Sequence, residues 1–350
     1  MRTPALLILA LAVAASGAGA AACPVAESRL ALINLDLARD SIEAADQRLA
    51  PLESACPDDP QLLLPRARIK AAQGDATAAQ SLFSRFLELA PDSSSGKAYF
   101  ARFLIDQGAY QQADTLSEVA FQQDPGNPAA LAVRGQILDM KHQTQQGLEL
   151  LTQACKLAPD DAEAQFQIAQ IYDRAKRPAD AAAHFQKTVE LDPGNASAWD
   201  YLALNLESLG EVDGADAAWN RGLEVDHEGP HYDAFLDYNY GRFLTKRNDL
   251  AGSLRHLDRA VELVPQFRGP WYYRAKLNLR LKHYKEARSD AEKAASLNER
   301  ASGILDLQIY ALLEQIYRHL GETALADKYA DLTRQTPPPV RKDAEETAPH

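Results

Sequence analysis

Residues 160–193 read DDAEAQFQIAQIYDRAKRPADAAAHFQKTVELDP, and the punctuation of that stretch decides the fold. Apolar or small residues recur at Ile168, Ala169 and Tyr172, then at Ala181 and Phe185, three or four apart. This is the period of an α-helix with one buried face. Pro193 ends the second run, because proline brings no N–H and its ring opposes the preceding turn. Two helices joined by a turn near residue 176 account for the whole stretch.

The prolines act as a ruler. Pro57, Pro91, Pro125, Pro159 and Pro193 are each 34 residues apart, and the next step falls on His227. Pro265 follows after 38, Glu299 after 34 and Pro338 after 39, so two hinges have gained four or five residues. The stops are alike: Leu-Glu-Leu-Ala-Pro at 87–91, Lys-Leu-Ala-Pro at 156–159, Val-Glu-Leu-Asp-Pro at 189–193 and Val-Glu-Leu-Val-Pro at 261–265. Gly74, Gly108, Gly210 and Gly321 mark corresponding breaks inside the units. Nine helix–turn–helix units result, centred on turns near residues 40, 74, 108, 142, 176, 210, 248, 282 and 321. Gly135, Ala169, Ala203 and Gly241 recur in the first helices, where a missing side chain lets two helices approach closely. Tyr172, Phe185, Trp199 and Trp219 at helical spacing read as core that fills the wider gaps.

This pattern resembles the tetratricopeptide repeat, a 34-residue helical hairpin with an aromatic and small-residue signature in its first helix and alanine, aromatic and proline in its second. The resemblance spans about residues 26–338 and weakens at both ends, where Pro51 sits inside a second helix and 307–338 lacks the second-helix aromatic. It implies an all-α fold, a right-handed superhelical solenoid of about nine stacked hairpins over residues 23–336, with units ending near 57, 91, 125, 159, 193, 227, 265, 299 and 338. It also implies a concave groove lined by first helices, protein or extended-peptide partners, and no cofactor, metal or catalytic residues.

Function is then expected in outward-facing slots of the first helices. One slot reads Asn34, Arg68, Arg102, Gln136, Gln170, Leu204, Arg242, Lys276 and Gln315. The slot one turn on includes Asp139, Asp173 and Glu207, so the groove reads as banded: basic, acidic, basic. A solvated face whose charges pair with one another is the plainer reading. The second basic band combines Tyr232, Tyr238, Arg242, Lys246, Tyr272, Lys276 and Arg280, aromatic surface beside donors of the kind found at protein-binding hot spots. Cations there suit a carboxylate or acidic segment. Some peptide-binding members of the resembled family clamp a carboxylate with Lys, Asn and Arg on successive first helices, and only Arg242 and Lys276 occupy matching places here.

The amino terminus predicts export. Arg2, an apolar run over 5–15 and small residues over 16–22 form a signal peptide, so residues 1–22 are expected to be removed and the product to be periplasmic or secreted. Ala20-Ala21-Ala22-Cys23 is a weak relative of the lipobox that precedes an acylated cysteine, which keeps an outer-membrane lipoprotein as the alternative. The net charge of −12 argues against nucleic-acid or anionic-lipid partners, because a polyanion is repelled. Cys23 and Cys56 flank the first hairpin, and a disulfide closing that loop would add about 3–4 kcal/mol in an oxidising compartment. Cys155, beside Ala154 and Leu157, reads as an inward-facing small apolar residue. Residues 337–350, with three prolines and a run of charges, have too little apolar surface to fold and read as a disordered tail.

One motif raises catalysis. His227-Glu228-Gly229-Pro230-His231 fits the spacing of a zinc hydrolase, in which two histidines one turn apart bind the metal. Gly229-Pro230 oppose the continuous helix that the motif needs, which makes an enlarged hinge the better reading. The expected role is a non-enzymatic scaffold of the bacterial cell envelope. Class resemblance keeps a lipid-anchored assembly factor for type IV pili, secretion or exopolysaccharide export as the alternative.

Overall fold

A computed structural model of the chain describes residues 27–57, 59–225, 230–299 and 302–336. Among them are eighteen α-helices, one 3-10 turn at Pro60–Leu62 and no strand. The chain divides into two compact units between Arg134 and Gly135, inside helix α7 (Pro128–Met140). The first unit contains α1 (Glu27–Ala38), α2 (Ile42–Ala55), α3 (Leu63–Ala72), α4 (Ala76–Leu89), α5 (Ser94–Asp106), α6 (Tyr110–Gln123) and the opening of α7. The second contains the rest of α7, then α8 (Thr144–Leu157), α9 (Ala162–Arg174), α10 (Pro178–Leu191), α11 (Ala196–Leu209), α12 (Val212–Glu224), α13 (Pro230–Lys246), α14 (Leu250–Leu263), α15 (Arg268–Arg280), α16 (Tyr284–Ser296), α17 (Asp306–Leu320) and α18 (Thr323–Gln335). The signal segment, Cys23, His227, Glu228 and the 337–350 tail lie outside the described residues, as do the side chains of His231 and Tyr232.

Each hairpin is closed by one backbone device. The turn residue adopts a left-handed conformation at Asp40, Gly74, Gly108, His142, Lys176, Gly210, Asn248, Lys282 and Gly321. The next N–H then donates to the carbonyl five residues earlier, from Ser41 to Asp36 in the first hairpin through Glu322 to Tyr317 in the last, and the nine bonds measure 2.8–3.0 Å. This is the Schellman closure, which satisfies carbonyls that a helix end otherwise leaves unpaired. Four successive first-helix starts also repeat one device. The side chains of Ser93, Asn127, Asp161 and Asn195, 34 residues apart, accept from the amides of Gly96, Ala130, Ala164 and Ala198 at 2.9–3.1 Å. Oxygen-bearing caps are favoured there because they take up one of the first orphan amides.

Packing follows the apolar period. In the first unit Ile33, Leu49 and Ile69 are fully buried in one cluster, and Phe83 stacks on Phe100 with centroids 5.2 Å apart. In the second, Phe185 and Trp219 are fully buried while Tyr172 and Trp199 pack at the margin of the same core. Trp199 also ties its helix to the preceding proline stop, donating Nε1–H to the Pro193 carbonyl at 3.0 Å, as Trp271 does to Pro265 at 3.0 Å. Pro51 lies inside α2, and Cys56 is buried where α2 ends. Cys155 is half-buried, and burial together with the charge of Asp161 pushes its thiol up to about 12. Leu157 is not its inward neighbour: at 53% exposure it closes α8 on the solvent side.

The enlarged hinges take two forms. Where the ruler gains four residues, α13 begins at Pro230 and runs for 17 residues, longer than its counterparts. Where it gains five, Arg268, whose side chain is 5% exposed, ties the end of α16 to the start of α17. Its Nε donates to the Ala294 carbonyl at 3.0 Å, its Nη1 to the Ile304 carbonyl at 3.2 Å, and its Nη2 to Asp306. Within the second unit the first helices of successive hairpins touch directly, α11 on α13, α13 on α15 and α15 on α17. Their side chains therefore share a face. No helix among the described residues is long and apolar enough to cross a membrane.

Candidate functional site

The charged slots on the first-helix face prove to be ties between neighbouring repeats. Asp139 accepts from Arg174, 35 residues on. Asp173 accepts from Asn205 at 3.0 Å, Glu207 from Lys246 at 2.5 Å, and Asn248 from Arg280 at 2.6 Å. In the first unit, Arg68 donates to Asn34 at 3.3 Å and lies 3.9 Å from the centroid of Tyr99. Arg102 has its Nε 3.8 Å from Asp106 on its own helix. Asp139, Asp173 and Glu207 are thus partnered within the chain, and so are Lys246 and Arg280. Each rung joins residues about one repeat apart.

Two cations stand apart from this ladder. Arg242 on α13 and Lys276 on α15 face the same ring, with the Arg242 guanidinium carbon 5.1 Å and Lys276 Nζ 5.3 Å from the centroid of Tyr273. Arg242 also lies 5.3 Å from the Tyr238 centroid, and Lys276 5.5 Å from that of Tyr272. Cations settle over such rings because the π face is negative. Neither has a carboxylate partner among the described residues. Arg242 makes one long hydrogen bond, from Nη1 to Asn239 Oδ1 at 3.4 Å, and its Nε is buried without an acceptor.

The tyrosines divide differently from the sequence reading. Tyr238 and Tyr272 are 5% and 7% exposed and belong to the core; Tyr238 packs edge-on against Phe267 and Tyr273 at 5.0 and 5.6 Å. Burial raises both phenols above the ordinary tyrosine range. The ring that carries the site is half-buried Tyr273, one residue away from the predicted Tyr272. Sequence reasoning also passed over Asp200 and Asn239, which lie behind Arg242. Asp200 is 7% exposed, accepting from Trp219 Nε1 at 2.9 Å and from Asn239 Nδ2 at 2.8 Å. A signal for it existed: positions 34, 68, 102 and 136 residues earlier are Phe166, Ala132, Ala98 and Leu64, all apolar, so a carboxylate in that register is directed inward.

The tetratricopeptide repeat family matches residues 70–138 and again residues 133–196. Residues 70–196 of this chain are tetratricopeptide repeats. Repeats of this family build protein-interaction scaffolds, and the nine identical hairpin closures extend the repeat on both sides of the matched stretch. Two curated relatives share it. A probable UDP-N-acetylglucosamine–peptide N-acetylglucosaminyltransferase SPINDLY of Hordeum vulgare is 28% identical over 150 residues, covering 41% of this chain and 15% of the relative. A DnaJ homolog subfamily C member 7 homolog of Dictyostelium discoideum is 22% identical over 251 residues, covering 68% and 42%. The chain thus spans less than half the length of either. Among solved structures, the APC/C hetero-tetramer Cut9–Hcn1 aligns with a TM-score of 0.56 at 14% identity, covering 88% of this chain and 63% of that one. PilF of Pseudomonas aeruginosa aligns at 0.51 and 18% identity, covering 69% and 99%. These likenesses establish the tetratricopeptide fold.

Proposed function

We propose that this tetratricopeptide chain is a non-enzymatic scaffold of the bacterial cell envelope, periplasmic or secreted, that grips an acidic protein or peptide segment on the first-helix face of α13 and α15. One observation carries the reading: Arg242 and Lys276 converge on the Tyr273 ring without a carboxylate, on a face where the neighbouring charges are paired. A half-buried arginine and an exposed lysine over one aromatic floor recognise a carboxylate more strongly than free lysines do. The test is Arg242→Glu combined with Lys276→Glu. Partner capture from envelope extracts should be lost with far-UV circular dichroism unchanged; capture that survives would place binding elsewhere.

Export is supported by the leader-like composition of residues 1–22 and by the buried position of Cys56, which suits a disulfide to Cys23. The second reading, a lipid-anchored outer-membrane assembly factor, is favoured by Cys23 following three small residues. The two are exclusive at one atom, since an acylated Cys23 sulfur has none left for Cys56. Intact mass of the mature protein decides: loss of two hydrogens on oxidation indicates the disulfide, whereas an added diacylglycerol indicates the anchor.

A further inference from the structure

Behind the cation pair lies a carboxylate that partner binding does not use. Asp200 on α11 has two neutral donors, the Trp219 indole of α12 on Oδ1 and the Asn239 amide nitrogen of α13 on Oδ2. The same Asn239 side chain turns its oxygen toward Arg242, where it accepts from Nη1 at 3.4 Å. Asn239 is therefore a two-ended connector: nitrogen toward the buried acid, oxygen toward the cation of the face.

An amide side chain has one donating end and one accepting end. Ionised Asp200 offers lone pairs only, which keeps the Asn239 nitrogen inward. Once Oδ2 carries a proton it becomes a donor and requires an acceptor. Asn239 supplies one by turning over, and its NH2 group then confronts Arg242, donor against donor. Trp219 is untouched by this exchange, because it occupies Oδ1. Burial pushes the Asp200 carboxyl up to about 6, against the opposing pull of its two hydrogen bonds and the Arg242 charge. The charged or titratable groups turned toward it are Arg242 from α13 and the adjoining Tyr201 on α11. Burial, then Asp200, raises that phenol; from α9, Asp173 also raises it and Arg174 lowers it. From α12 the neutral Trp219 is presented.

We infer that Asn239 is a proton-operated latch: with Asp200 ionised it holds the Arg242 guanidinium and the buried charge partly offsets it, and with Asp200 protonated it releases a fully charged guanidinium to the partner. The function of the latch rests on the acidic-partner reading of this face, while its chemistry does not.

The test is a side-chain NMR titration of the full chain from pH 4.5 to 7.5, following the Asp200 carboxyl carbon, the Asn239 amide and Arg242 Nε. All three should inflect together. Asn239→Ala should leave the Asp200 inflection and shrink its echo at Arg242 to the direct effect of the Asp200 charge. Hexaglutamate peptide, which remains largely ionised above about pH 5.5, should bind roughly two- to fivefold more tightly at pH 5.5 than at 7.5, and Asp200→Asn should flatten that dependence. An Arg242 signal that stays still while Asp200 titrates, or that follows it unchanged in Asn239→Ala, would overturn the latch. Coupled signals with no hexaglutamate binding at any pH would sink the acidic-partner reading and leave the latch standing.

Discussion

Gly135 and Gly147 face each other across the α7–α8 crossing so closely that a Cβ on either would meet the other's carbonyl oxygen, at 2.8 Å from position 135 and 2.6 Å from position 147. The obstacle is backbone on both sides, so no rotamer change relieves it. Gly135→Ala is expected to destabilise by about 1–3 kcal/mol through overpacking. Gly241→Ala should cost less, because its nearest neighbour is the Leu257 side chain at 3.0 Å. Urea midpoints followed by circular dichroism compare the two.

The left-handed turns predict gains and losses at equivalent places. His142 and Lys176 hold φ of 62° and 57°, which an L side chain adopts at a cost, whereas Gly210 holds 79° without one. Replacing either with glycine should stabilise by about 0.5–1 kcal/mol after the greater freedom of glycine in the unfolded chain is subtracted, and Gly210→Ala should lose a similar amount. Thermal midpoints measure both directions.

These turns were also the most legible part of the chain. The nine positions expected from the proline spacing, 40 through 321, are the nine that adopt positive φ at hairpin closures. Local chemistry governs them, and local chemistry is written in order along the sequence. The face was less legible, because pairing there joins residues about one repeat apart, as in Asp139 with Arg174, and depends on how hairpins stack. The slots identified charge without showing which charges were already spent on a neighbour. Tyr272 and Tyr273 show the same limit at finer scale: one residue turns a helix by about 100°, enough to send the first ring into the core and leave the second beneath both cations.

One arginine–lysine comparison separates a buried from an exposed ion pair. Arg274 binds Asp290 through Nε and Nη2 at 3.0 and 2.6 Å, and the Asp290 side chain is 5% exposed. Arg274→Met leaves that buried carboxylate with Asn278 but no cation, and should cost about 3–5 kcal/mol. Lys246→Met removes only the exposed rung to Glu207 and should cost less than about 1 kcal/mol. Denaturant titration at fixed ionic strength distinguishes these values.

Asp200 sets a pH dependence of definite sign. Its folded carboxyl is pushed from 3.8 up to about 6, so between those values the folded chain holds a proton that the unfolded chain has released. The stabilisation from that proton is complete below about pH 4 and is lost as pH rises through 6, up to about 3 kcal/mol. Asp200→Asn should remove this component. The quantity to measure is the difference in unfolding free energy between wild type and variant at pH 4.5 and 7.5; an equal difference at both values would contradict the assignment.

The caps at 93, 127, 161 and 195 have a consequence for ancestry. If residues 161–194 were excised, Asn195 would arrive where Asp161 stood, with the same side-chain bond ready to start the next helix. A joint of this kind is self-compatible, so recombination can lengthen or shorten the chain in whole steps without inventing a new connection. Reach becomes a variable that inheritance can alter independently of affinity, because the residues that meet the partner change helix by helix while the joints between helices stay the same.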